Sequence, residues 1–106
     1  MDIVDWRKKI DELDGKLVAL LSERARAAQE IGKLKRNTNM PIYEPDREGI
    51  VFANVQKINQ GPLPGRDLVR IYERIMDVMR NIQKEEIVSG AKSAASATEL
   101  DSETED

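Results

Sequence analysis

DIVDWRKKIDELDGKLVALLSERARAAQEIGKLKR, residues 2–36, contains no proline, and its apolar residues recur at helical spacing. The pattern predicts one long helix. On a wheel of 100° per residue, Trp6, Ile10, Leu13, Leu17 and Ile31 all fall within about 40° of Arg24. Lys35 lies about 20° from Arg24 around the axis and about 16 Å further along it. Two cations therefore share the face that the pattern marks for burial. Burying them costs free energy unless an anion or a hydrogen-bonding partner meets them. Two explanations stand side by side at this point. The cations pair with carboxylates of neighbouring helices or snorkel to the core edge, or they await an anionic ligand.

The helix is too long for its own domain. Its 35 residues span about 52 Å at 1.5 Å each, whereas a compact domain of this size has a radius of gyration of about 13 Å. One chain cannot bury so long a stripe alone. The expected remedy is a homodimer with intertwined long helices. A free-standing coiled coil fits less well, because the heptad rhythm lapses after the first helix.

Outward from this segment, Asn37-Thr38-Asn39 and then Pro41 close the first helix. A second is predicted from Glu44-Pro45, with proline at its first helical position, carrying Ile50, Val51, Val55 and Ile58 and stopping at Gln60-Gly61-Pro62. A third begins near Pro64, presents Leu68, Ile71, Tyr72, Ile75, Met76, Met79 and Ile82, and fades after Ile87. No repeat or strand pattern is visible. The expected fold is all-α, three helices per chain, over a domain of residues 1–88. Residues 89–106, SGAKSAASATELDSETED, are small, polar and acidic, and are expected to form a disordered tail whose simplest role is solubility.

Composition removes several classes of function. There is no cysteine, hence no disulfide or thiolate chemistry, and no histidine, the usual general base and commonest metal ligand. No cofactor or metal is expected. The tail carries a formal charge of −4 and the whole chain −3, which leaves the helical body at +1. A near-neutral body argues against nucleic-acid binding, which usually shows a strong basic excess. Without an apolar run for a signal peptide or a membrane span, a cytoplasmic location with no membrane partner is expected.

Several further residues carry possible chemistry. Glu44, Arg47 and Glu48 fall in the first turn of the second helix, where unpaired backbone N–H groups can also serve a ligand oxygen. Dipole compensation and charge pairing on a solvated face explain them as well, and for Glu44 that is the simpler account. Gln83 continues the apolar stripe Leu68, Tyr72, Ile75, Met79, and a neutral amide there needs a partner. Arg7 stands about 100° from Arg24 around the first helix and about 26 Å along it. It cannot share a small ligand with Arg24 of its own chain, but Arg7 of an antiparallel second copy could.

Four stretches, WRKKIDELDGKLVALLSERARAAQEIGKLK (6–35), PIYEPDRE (41–48), NQGPLP (59–64) and IYERIMDVMRNIQ (71–83), resemble the all-helical (AroQ-type) chorismate mutases. Each motif is weak alone; their order and spacing together are specific. The resemblance covers nearly the whole helical body and implies a helical homodimer that converts chorismate to prephenate, the branch step toward phenylalanine and tyrosine. It implies that Arg24, with Arg7 of the second copy, clamps the two substrate carboxylates. Lys35 and Gln83 match the donors to the ether oxygen, Glu48 the group that takes the substrate hydroxyl near the backbone at Glu44, and Arg47 a supporting cation.

One position departs from the family pattern. Four residues before the glutamine, many members carry a small hydroxyl residue that touches a substrate carboxylate, and here it is Met79, which cannot donate that bond. Two other functions remain open. One is an isochorismate-pyruvate lyase of the same fold. The other is a non-catalytic helical dimerisation module, such as a regulatory partner of another shikimate-pathway enzyme, in which Arg24, Lys35 and Gln83 satisfy one another instead of facing a cavity.

Overall fold

A computed structural model describes residues 1–105, with side chains described for residues 1–90. It holds three helices, α1 (Ile3–Arg36), α2 (Pro45–Ile58) and α3 (Gly65–Glu105). The backbone of α3 runs on past Ile87, where its apolar pattern fades, to Glu105, and so takes in most of the acidic tail expected at 89–106, whose side chains beyond Gly90 lie outside the described residues. No helix among the described residues is long and apolar enough to cross a membrane.

Local chemistry explains where each helix starts and stops. Asp2 caps α1 by accepting from the Asp5 N–H at 2.9 Å, while the Asp5 carboxylate accepts from the Asp2 N–H at 3.3 Å. This reciprocal capping box satisfies two backbone donors that the first turn leaves unpaired. Lys33, Lys35 and Arg36 occupy the last turn, where cations oppose the negative end of the helix dipole. Pro45 opens α2, and its N-cap Glu44 makes no side-chain capping bond, which leaves that carboxylate for other partners. Between α2 and α3, the Asn59 amide donates to the Leu63 carbonyl at 2.8 Å and its oxygen accepts from the Gly61 N–H at 3.1 Å. Gly61 has φ 76°, a left-handed conformation that glycine adopts without steric cost.

Both α1 and α2 pack against α3. The buried hydrophobic residues are Ala28, Val55, Met76 and Met79, and Lys35 is the one buried charged residue among those described. Gly32 is buried at the α1–α3 contact, where α3 passes so close that any Cβ would press on it. The buried part of α1 lies entirely in its C-terminal half.

The apolar stripe of α1 is left uncovered in the single chain, as its length predicts. Trp6, Ile10, Leu13 and Leu17, marked for burial by their spacing, are 48–56% exposed in the single chain, and Ile31 is 45% exposed. The physical reason is reach: the chain measures 71 × 35 × 15 Å with a radius of gyration of 19.7 Å, far from the compact value of about 13 Å. Among the described residues, no other helix covers the first turns of α1. Full burial of a Leu or Ile is worth roughly 1.5–3 kcal/mol, and these half-exposed residues forgo part of it.

Candidate active site

The C-terminal half of α1, the start of α2 and the middle of α3 enclose a cavity of about 400 Å³. Seven of the eight candidate residues line it: Arg24, Lys35, Glu44, Arg47, Glu48, Met79 and Gln83. They come from three separate segments, so their convergence is a property of the fold. Arg7 is not among them. It sits on the exposed N-terminal part of α1, as its distance along the helix requires.

Lys35 is the best-held group. Its ammonium donates to Gln83 Oε1 at 2.9 Å and to the Ile42 backbone carbonyl at 3.2 Å, and lies 3.6 Å from Glu44 Oε1. Two of its three donors make hydrogen bonds, and the Glu44 carboxylate adds a charge partner. That is why a charge only 6% exposed is tolerated. Because lysine can only donate, Gln83 must turn its oxygen to it, which leaves the Gln83 NH₂ uncommitted to Lys35. Glu44 reaches Lys35 because its side chain makes no cap.

Arg24 is half-buried on the same wall and, among the described residues, forms neither an ion pair nor a side-chain hydrogen bond. Arg47, more exposed, is unpaired in the same sense. The cavity is lined by four cations, Arg24, Lys35, Arg47 and Arg80, against two carboxylates, Glu44 and Glu48. Its apolar walls, Ile31, Ile42, Val51 and Met76 among them, reduce screening and strengthen the field at its centre. Met79 is buried at 6% exposure and offers only a thioether at its position.

Arg80 is the residue that sequence reasoning missed. Its guanidinium donates to both Glu48 and Asp77 and lies 5.3 Å from the centroid of the Tyr43 ring. The hydrogen bond to Glu48 holds Arg80 above its ordinary pKa, with burial opposing and the charges of Glu48, Asp77 and Tyr43 adding to the shift. A signal was available: Arg80 is four residues after Met76 and three before Gln83, hence on their face of α3.

The expectation for a non-catalytic module is met in one part only. Lys35 and Gln83 bond to each other, yet both face the cavity, and Arg24 beside them takes no part in that pairing.

Fold and site together define a small helical protein with a cation-rich, partly apolar cavity suited to a compact polyanion. The chain belongs to the chorismate mutase type II family, whose family model matches residues 6–84. It is 34% identical over 87 residues to the bifunctional chorismate mutase/prephenate dehydratase of Aquifex aeolicus (strain VF5), a match covering 78% of this chain and 24% of that protein. It spans 20–24% of the length of the first bifunctional relatives it matches. Its fold matches chorismate mutase (form II) from Thermus thermophilus with a TM-score of 0.75 at 32% identity, covering 77% of this chain and 93% of that one. The chorismate mutase of Helicobacter pylori in complex with prephenate matches with a TM-score of 0.73 at 28% identity, over 80% of this chain and 92% of that one.

Proposed function

We propose that this chain is a chorismate mutase, catalysing the rearrangement of chorismate to prephenate. The observation that carries the proposal is the convergence of Arg24, Lys35, Glu48 and Gln83 on one cavity with an excess of positive charge. The reaction breaks a C–O bond and forms a C–C bond in one step, with no proton transfer. It therefore needs neither histidine nor cysteine. It needs a compact substrate conformer held in place and fixed donors where negative charge grows on the ether oxygen.

The residues fit those needs. Arg24 is unpaired and planar, suited to a carboxylate fork. Lys35 is dry and already oriented, so little reorganisation accompanies its interaction with the ether oxygen. Gln83, with its oxygen spent on Lys35, has NH₂ donors for the same atom. Glu48 accepts the substrate hydroxyl, and Arg47 supports the charge balance.

The working unit in this proposal is a homodimer. Support comes from the uncovered apolar stripe of α1 and from Arg7, which cannot reach the cavity of its own chain but can approach that of an antiparallel second copy. Together with Arg24, it would divide the two carboxylates of the substrate. The helical body, 1–88, is the functional domain, and the acidic tail is a solubility segment.

A regulatory module without catalysis keeps one observation in its favour: Lys35 already has two hydrogen bonds and an ion pair within its own chain. One assay separates the two. Purified protein is mixed with chorismate, the loss of its ultraviolet absorbance is followed, and the product is identified. Enzymatic formation of prephenate is expected; an unchanged spectrum would leave the module, and a different product would leave the lyase.

A further inference from the structure

We infer that Arg80 is a positioning residue for the mutase reaction: it holds Glu48 on the α2 side of the cavity and so keeps Arg24 and Arg47 free for the anionic substrate. The assignment rests on the mutase reading above and deepens it. Three observations support it independently of any resemblance.

First, the pair forms a wall. Arg80 and Glu48 line the 400 Å³ cavity and also an adjoining outer hollow of about 540 Å³ bordered by Tyr43, Phe52 and Asp77. They stand between the two spaces, with Glu48 Oε1 accepting from Arg80 and its other oxygen left over.

Second, Arg80 is itself fixed from three elements. Glu48 holds it from α2, Asp77 from α3, and the face of Tyr43 from the segment joining α1 to α2. A guanidinium serving two carboxylates and an aromatic ring has little rotational freedom, and it passes that order to Glu48.

Third, the electrostatics give Glu48 somewhere else to go. Arg24 and Arg47 line the same cavity with no ion pair among the described residues. A Glu48 released from Arg80 would be drawn to them. Each such pairing would remove a cation from substrate binding and a carboxylate from the substrate hydroxyl. Glu44 does not pose this problem, since Lys35 holds it.

The test is a double-mutant cycle in the intact protein, with KM and kcat read separately. Arg80→Met is expected to raise KM for chorismate about tenfold, with a smaller change in kcat, a size typical of displaced binding groups. In the Glu48→Gln background the same substitution is expected to change KM by less than about twofold, because a neutral amide does not collapse onto the arginines. Circular dichroism and thermal unfolding report whether each variant folds. If Arg80→Met does not fold, the cycle is run with Arg80→Lys, which keeps the charge but cannot hold two carboxylates in one fork. A smaller rise in KM, again erased by Glu48→Gln, is expected.

Equal losses in both backgrounds would overturn the assignment, since a merely structural arginine acts regardless of Glu48. A native protein without mutase turnover would overturn the mutase reading and this assignment with it. An active native protein with additive variants overturns the assignment alone.

Discussion

A Cβ built on Gly32 of α1 would stand 3.1 Å from both the Cα and the carbonyl oxygen of Gln83 on α3. The two helices meet backbone to backbone at this point. Lys35, three residues after Gly32 and so on the same face, reaches Gln83 Oε1 at 2.9 Å because of that approach.

Gly32→Ala is therefore expected to damage both the fold and the site. Alanine gains about 0.5–1 kcal/mol of helix propensity over glycine, but overpacking costs typically about 1–3 kcal/mol, and two of the three nearest atoms opposed are backbone of Gln83, the third being the Glu86 Cβ. A lower melting temperature and a lower kcat/KM are the expected outcome of thermal unfolding and steady-state kinetics. Gly15, nearer the start of α1 and with nothing within 4 Å of its Cβ, serves as the control. Gly15→Ala should be neutral or stabilising. A Gly32→Ala protein with raised stability and native kinetics would show that α3 yields at no cost.

The uncovered stripe of Trp6, Ile10, Leu13 and Leu17 leads to a prediction about assembly. Sedimentation over a wide concentration range should show a dimer with no folded monomer. A compact, active monomer would remove both the dimer and the proposed contribution of Arg7 from a second copy.

Lys35→Ala should depress kcat far more than it raises KM, because the interaction with the ether oxygen strengthens as the transition state forms. Losing one preorganised donor of this kind costs roughly 3–4 kcal/mol in the barrier. Stability should fall as well, since Gln83 and Glu44 lose their shared partner. Near-native turnover in the purified variant would exclude Lys35 from the mechanism.

Arg24→Ala should behave differently. A carboxylate clamp operates in the ground state and the transition state alike, so KM should rise along with any fall in kcat. Because Arg24 holds no internal ion pair among the described residues, its loss should leave the melting temperature nearly unchanged. A large drop in stability with an unaltered KM would assign it to packing.

Met79→Ser tests the departure from the family pattern. A restored hydroxyl that bonds a charged carboxylate is worth about 1.5–3 kcal/mol at best. Met79 is also buried, so its removal leaves a void that loosens α3. A modest gain in kcat/KM together with a lower melting temperature is expected. Unchanged kinetics with lost stability would make Met79 a core residue and nothing more.

Much of this protein is legible from one dimension. The 3.6-residue spacing of apolar groups, Pro45 at a helix start and Gly61 at a turn are local features, and local forces set helix ends. They suffice to place α1, α2 and the start of α3 within a residue or so. The cost of a cation or an amide on an apolar stripe singles out Arg24, Lys35 and Gln83; Glu44, Arg47 and Glu48 are marked by their place in the first turn of the second helix and gain roles only from the family resemblance.

What the sequence left open were questions of distance and competition between side chains. Whether Lys35 pairs within the chain or waits for a ligand depends on where Gln83, Ile42 and Glu44 come to rest, and packing brings all three within 3.6 Å. Spacing puts Arg80 on the face of α3 that carries Met76 and Gln83, but it does not say which carboxylate the guanidinium meets. Its bond to Glu48, 32 residues away, exists only once α2 lies against α3. The stripe on α1 is a mixed case: its length already implies that one chain cannot cover it, but only the packing shows that the turns from Trp6 to Leu17 are among those left exposed. Sequence determines which residues prefer which face, because that preference is local; tertiary structure decides which partner each one meets, because that depends on elements far apart along the chain.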